Sequence, residues 1–172
     1  MDFLEWFFKK LKQSNSGVFE VGKMYIFRYD PKHKNTLRYY DTFPLVIVFK
    51  VMGDRFLGIN LHYLPPDLRI QLLNRIASKS VIRDNKIVKY TITENDIRNQ
   101  ILFKPCIKEY LFSHVKSRFS VVDDDEWFTI PYLIEEEINL NSIVTLEFEK
   151  FKKQSKQKVW NDSKQIIQKV KK

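Results

Sequence analysis

The sequence is poor in cysteine, glycine and proline, and it contains no long apolar run. Its one cysteine, Cys106, cannot form a disulfide within the chain, which fits a reducing compartment. Four glycines and six prolines in 172 residues predict loops that are few and short. No apolar run approaches the roughly 20 residues that a helix needs to cross a bilayer. The N-terminal stretch MDFLEWFFKKLK is interrupted by Glu5 and lacks a cleavage site of small residues, so we expect no signal peptide.

The sequence also lacks a recognisable set of catalytic or metal-binding residues. Its three histidines are widely separated, and none lies at metal-ligand spacing from Cys106. There is no glycine-rich phosphate loop and no nucleophile elbow. The acidic run 123–126 could hold the divalent cation of a nuclease, but no companion lysine lies nearby, and a solvated turn is the simpler interpretation. We therefore predict a protein that is not an enzyme, with no catalytic residues, no metal, no cofactor and no small-molecule substrate.

What the chain has in plenty is lysine, and the lysines are concentrated at its end. The net charge is +9, and residues 150–172 contain nine lysines against the single acid Asp162, which gives this segment +8. A segment so basic usually meets a polyanion such as nucleic acid, or an acidic protein surface. Alternatively, the lysines only keep a surface helix soluble.

The apolar pattern predicts one α+β domain between two helical ends. Hydrophobic residues make up 44% of the chain, which is too many for a disordered protein. Residues 1–13 predict an amphipathic N-terminal helix, which must dock on the body or on a neighbouring subunit because a helix this short is marginal alone. Residues 18–149 form the predicted domain, and residues 150–172 form a basic helical tail.

Three predicted strands suggest the architecture of the domain. Residues 23–29 alternate as a strand, with Tyr25, Phe27 and Tyr29 on one face. The apolar run LVIVF at 45–49 predicts a buried strand. After a Gly-Asp turn, residues 56–62 predict a strand that runs back along the chain before it. Together they predict a small, strongly curved antiparallel sheet or partial barrel with packed helices.

The rest of the chain predicts mostly helix. The strongest helical pattern runs from Pro105 to Phe119, and the tail has one apolar stripe of Val159, Ile166, Ile167 and Val170. Further predicted elements are a helix from 67 to 76, a strand at 86–92, a helix at 94–101 capped by Thr93, a strand at 127–134, and a segment at 143–148 that suits either strand or helix.

The segment from Tyr25 to Tyr40 mixes aromatic and basic side chains. Such a mixture suits phosphates and stacked bases, but Tyr25, Phe27 and Tyr29 could equally be core residues. The basic loop and the tail are therefore the better candidates for contact with nucleic acid. The candidate nucleic-acid-binding residues are Lys32, His33, Lys34 and Arg38 of the loop, and Lys150, Lys152, Lys153, Lys156, Lys158 and Lys164 of the tail.

Five stretches of the sequence carry a resemblance to a known family. They are GKMYIFRYDPKHKNTLRYYDTFPLVIVF, FLGINLHYLPPDLRIQLL, FKPCIKEYLFSHVKSRF, EWFTIPYLI and KVWNDSK. In these stretches, over about residues 22–164, the chain resembles the DNA end protector-type virion proteins of T4-like and marine tailed bacteriophages. The strings YYDTFPLV and GINLHYLPP are the most specific, whereas the N-terminal helix and residues 79–100 depart from the family pattern.

The resemblance implies a non-enzymatic phage protein that is packaged with the genome and caps duplex DNA ends against host exonucleases. The implied partners are duplex DNA ends and other virion proteins, with no membrane partner. The implied location is the virion, and the host bacterial cytoplasm during assembly. A structural protein of the head, neck, tail or baseplate that contacts only other proteins is the alternative. The family pattern offers no catalytic residue to transfer.

Two residues of the specific strings also have clear physical expectations. Asp41 in YYDTFPLV can bond to nearby backbone and fix the turn before Pro44. Gly58 in GINLHYLPP permits close packing within a strand.

Overall fold

An open five-stranded antiparallel sheet forms the centre of the protein. The computed structural model describes residues 19–37, 39–84, 86–89, 92–99, 101–127, 129 and 146–170. Its strands are β1 (Met24–Ile26), β2 (Leu45–Met52), β3 (Arg55–Asn60), β4 (Val81–Arg83), β5 (Lys86–Lys89), β6 (Ile107–Leu111) and β7 (Ser120–Val122). The order in the sheet is β6-β3-β2-β1-β7, while β4 and β5 form a separate hairpin. The predicted α+β class is confirmed, but the sheet is not closed into a barrel, and strong curvature stays a prediction.

The hairpin of β2 and β3 follows from the sequence pattern. The apolar run that begins β2 is buried on both faces, and the chain turns at Gly53, whose φ of +54° favours glycine. The pairing shifts between Val48 and Lys50. A side chain at Gly58 would overlap Val46, so the predicted close packing at this glycine is confirmed. Strand β3 ends at Asn60, earlier than predicted, because the chain enters a 3-10 turn at Leu61–Tyr63.

The alternation along β1 places its side chains in two separate cores. Met24 and Ile26 join the larger core between the sheet and the helices. Tyr25, Phe27 and Tyr29 join a second, largely aromatic core on the opposite face and are 2%, 0% and 8% exposed. The predicted faces are confirmed. These three rings are therefore core residues and are not free to stack on bases.

The sequence predicted three helices that the structure contains, although their bounds differ from the predicted ones. Helix α1 (Pro66–Ser78) buries Leu72, Leu73 and Ile76. Helix α2 (Glu94–Arg98) is shorter than predicted, but Thr93 caps it as expected. Helix α3 (Leu146–Val170) confirms that the tail is helical and shows that the ambiguous segment is helical from residue 146 onward.

The predicted helix from 105 to 119 is wrong. Residues 107–111 form β6, which pairs along the whole of its length with β3, and a 3-10 turn follows at Phe112–His114. The reason is the neighbouring strand: β3 would otherwise leave one row of backbone hydrogen-bonding groups unpaired. Tertiary pairing of this kind overrides local helical spacing.

The predicted apolar stripe of the tail is only half right. Val159 and Ile167 are 8% and 5% exposed, but Ile166 and Val170 are 40% and 43% exposed. The buried face instead follows residues 159, 163 and 167, which are four residues apart and so lie above one another on a helix. Ser163, at 2% exposed, occupies the middle of this face.

Some predictions fall outside the described residues. They are the N-terminal helix at 1–13, Arg38, and all of the predicted strand at 127–134 except Trp127 and Thr129. The domain boundaries stay predictions. No helix in the described parts of the chain is long and apolar enough to span a membrane.

Candidate nucleic-acid interface

A largely buried polar cluster lies where the basic loop returns to the sheet. The carboxylate of Asp41 accepts hydrogen bonds from Asn60 Nδ2 at 3.0 Å and from His62 Nδ1 at 2.6 Å. Its other oxygen accepts the backbone N–H of Phe43 at 3.1 Å, as expected for a residue that fixes the turn before Pro44. Asn60 also donates to the hydroxyl of Tyr110 at 3.0 Å. One carboxylate therefore ties the loop to two residues of GINLHYLPP.

The electrostatics of the cluster keep Asp41 ionised. Burial alone would raise the pKa of Asp41, but the attraction of His62 and the hydrogen bonds from His62, Asn60 and Phe43 together lower it below the usual value. Since an ionised carboxylate only accepts hydrogen bonds, His62 Nδ1 must carry the hydrogen. Burial raises the pKa of Tyr110, and the nearby charge of Asp41 raises it further.

The same 3-10 turn holds helix α3 on its other side. Trp160 Nε1 donates to the carbonyl of His62 at 3.0 Å, and Ser163 Oγ donates to the carbonyl of Tyr63 at 2.5 Å. The guanidinium of Arg69, on α1, lies over the Trp160 ring at 5.5 Å from its centroid. These contacts, with buried Val159, fix the middle of the basic helix to the body.

We call the set Asp41, Asn60, His62, Trp160 and Ser163 the joint. It brings together three of the strings that carry the family resemblance: YYDTFPLV, GINLHYLPP and KVWNDSK. Sequence reasoning missed the joint, although a polar residue inside each string was a signal. The joint explains the strings physically, because it fixes the basic loop and the basic helix to one short turn.

The loop candidates lie in an exposed turn next to the joint. Lys32, His33 and Lys34 are all exposed, and Lys34 Nζ bonds Asp30 Oδ1 at 2.8 Å. That hydrogen bond is the largest influence on the carboxyl of Asp30 and lowers its pKa. Lys116 also lies beside this loop, because its backbone N–H bonds the carbonyl of Arg28 and its charge acts on Asp30. The loop therefore presents a cationic surface.

The structure describes the side chains of only some of the candidate binding residues in α3. Lys158 and Lys164 are exposed, and so is Lys169, which sequence reasoning did not single out. Lys158 and Lys169 are eleven residues apart, which places them on one side of α3, separated by roughly 16 Å along its axis. The backbone of four further candidates lies within α3, but their side chains are outside the described part of the chain: Lys150, Lys152, Lys153 and Lys156.

The two basic elements are neighbours in the fold. The Tyr39 ring, at the end of the loop, lies 5.8 Å from that of Tyr63 between centroids, and the carbonyl of Tyr63 accepts the hydroxyl of Ser163. One residue therefore contacts both the end of the loop and the middle of α3.

The acidic run forms a turn. Residues 124–126 are a 3-10 turn that Asp123 caps, and Lys23 Nζ lies 3.4 Å from Asp124. Among the described residues, no group of three or more histidine, cysteine, aspartate or glutamate side chains is placed to hold a metal ion.

The fold and the cationic surface together define a small, basic α+β protein whose charge suits a polyanionic partner. The family model of the phage T4 terminal DNA protecting protein matches residues 2–163. The chain therefore belongs to this bacteriophage family, and the resemblance found in the sequence is confirmed. The family is described by protection of DNA and not by a chemical reaction. No curated protein and no solved structure matched the chain.

Proposed function

We propose that this phage protein binds the ends of duplex DNA and caps them without enzymatic activity. The observation that carries the proposal is the joint, which holds a cationic loop and a lysine-rich helix side by side on one body. Cations held in place lose less conformational entropy on binding than cations on free chains. A fixed pair of basic elements suits the regular spacing of phosphates on a duplex.

The proposed contacts are electrostatic. Lys32, His33, Lys34 and Arg38 approach phosphates from the loop, and the lysines of α3 approach them from the helix. Phosphate contacts give affinity without sequence preference, which a protein that caps the end of any packaged genome requires. We also infer that the protein is carried in the virion, and that it is present in the host cytoplasm during assembly.

A second candidate function is a structural contact with other virion proteins. Ile166 and Val170 favour it, because they are one helical turn apart and both well exposed. In this case the lysines of α3 would face an acidic protein surface.

A comparison of open and closed duplexes tests the proposal. We expect the protein to bind a short blunt duplex more tightly than the same duplex closed at both ends by hairpin loops. Affinity for both should fall steeply with salt, by a log–log slope of about 0.9 per phosphate contact. Equal affinity for the two duplexes would contradict end binding. No binding even at low salt would favour the protein-only function.

A further inference from the structure

Two exposed aromatic side chains flank the largely buried carboxylate of Asp41 in the joint. Tyr40 is 41% exposed and Phe43 is 38% exposed, on either side of Asp41. Leu37, earlier in the same loop, is 46% exposed. Single exposed apolar residues are common on protein surfaces. Three within seven residues, on a loop that also carries lysines, form a mixed apolar and cationic surface.

The backbone under the two rings is fixed on both sides. Asp41 is bonded to Asn60, His62 and the N–H of Phe43, and the carbonyl of Thr42 accepts the N–H of Tyr29 at 2.8 Å. Strand β2 then begins at residue 45. Tyr40 and Phe43 therefore project from a supported segment, and little backbone entropy is lost when a ligand covers them.

Positive charge lies on the same loop as the rings. The pKa of Lys34 is raised, chiefly by its hydrogen bond to Asp30, with a smaller contribution from Tyr40. Lys32 is exposed in the same turn. Aromatic rings next to cations are the combination that binds bases together with their phosphates.

The end of a duplex has one surface that the interior lacks. Inside the helix every base pair is stacked on both faces, but the terminal pair exposes one flat, apolar face. We infer that Tyr40 and Phe43 stack on this terminal base pair while Lys32 and Lys34 contact the adjacent phosphates. The inference rests on the proposed function and adds to it the means by which an end is distinguished from the interior.

The test compares ring-free variants on open and hairpin-closed duplexes. For the double variant Tyr40→Leu/Phe43→Leu, we expect the affinity for the open duplex to fall toward that for the closed duplex, by about tenfold for each ring. The salt slope should stay unchanged, because no charge is removed. The conservative variant Tyr40→Phe/Phe43→Tyr should bind as the wild type does.

Controls separate this site from general effects. Val51→Ala and Val121→Ala remove exposed apolar side chains that lie outside the loop, and both should keep the preference for open ends. Leucine keeps an apolar side chain but has no ring, and melting curves check that the fold is intact. If folding is impaired in the double variant, Tyr40→Leu alone should still lose part of the preference.

The outcomes distinguish the inference from the function on which it rests. If the wild type prefers open duplexes and the leucine variant keeps that preference in full, the inference is wrong and end binding stands. If the variant loses affinity for both duplexes equally, the rings serve general binding and the inference is also wrong. If the wild type shows no preference, the proposed function and the inference fail together.

Discussion

Replacing Asp41 with alanine is expected to destabilise the protein by about 3 kcal/mol, because it removes a largely buried carboxylate and leaves the donors bonded to it without an acceptor. The side chains of Asp41 and His62 are 19% and 16% exposed. Without the carboxylate, Asn60 Nδ2 keeps only Tyr110, and the N–H of His62 Nδ1 has lost its acceptor. Donors left unsatisfied in this way account for much of the cost.

The same change should weaken DNA binding through both basic elements. Asp41 fixes the end of the loop directly, and it fixes α3 through His62, whose carbonyl holds Trp160. Urea unfolding followed by fluorescence measures the stability, and binding to an open duplex measures the second effect. The matched control is Asp54→Ala, since Asp54 is 72% exposed and an ion pair this exposed contributes little to stability. An Asp41 variant as stable as this control would show that the joint is not structural.

The pH dependence gives an independent check on the same residue. Because the folded protein lowers the pKa of Asp41 below 3.8, the ionised carboxylate stabilises the fold above that pH. This contribution is lost as the pH falls through the folded-state pKa. The difference in stability between the wild type and Asp41→Ala should therefore shrink as the pH falls into the acid range below 3.8. A difference that stays constant into strong acid would argue against an ionised Asp41.

The triple variant Lys158→Gln/Lys164→Gln/Lys169→Gln is expected to flatten the salt dependence of DNA binding. All three side chains are exposed on α3. If each contacts one phosphate, the log–log slope should fall by almost three units, at about 0.9 per contact. Stability should change little, because surface substitutions of this kind usually have small effects. Removing α3 altogether would be a poorer test, since Val159 and Ile167 are part of the core.

A control with the same change in net charge is available elsewhere on the protein. Lys23, Lys50 and Lys79 are partly exposed, and each is paired with a carboxylate, namely Asp124, Glu94 and Asp96. Their triple replacement by glutamine also removes three positive charges, but from residues outside the basic loop and α3. We expect this control to keep the wild-type salt slope. Equal slopes for both triple variants would assign DNA contact to general charge or to the loop from Lys32 to Arg38.

Local patterns in the sequence predicted much of the fold because they report local structure. The apolar run of β2, the alternation along β1, the Thr93 cap and the helical tail all depend on residues close together in the chain. The prediction for β6 was wrong because the structure of this segment depends on residues far away in the chain. Its apolar spacing also suits a helix, and only pairing with β3, about fifty residues earlier, decides between the two.

In the candidate site, too, local features could be predicted from the sequence and contacts between distant residues could not. The basic character of the loop and tail could be predicted, because charge is visible in composition. The joint could not, because His62 is 21 residues from Asp41 and 98 residues from Trp160. Contacts between distant residues also decide which face of the tail is buried, so the predicted face was only half right. Ser163 is buried where its hydroxyl donates to the carbonyl of Tyr63, and Ile166 is left exposed.

The central claim is protection of DNA ends by end binding, and a paired nuclease assay tests it most directly. One linear duplex is digested either by an exonuclease that enters only at free ends or by a restriction enzyme that cuts its centre. At a protein concentration about ten times the Kd, roughly a tenth of the ends remain free, so exonuclease digestion should slow about tenfold. Central cleavage should proceed at its normal rate. Equal slowing of both enzymes would show coating of the duplex, and normal exonuclease digestion with saturating protein would contradict end protection.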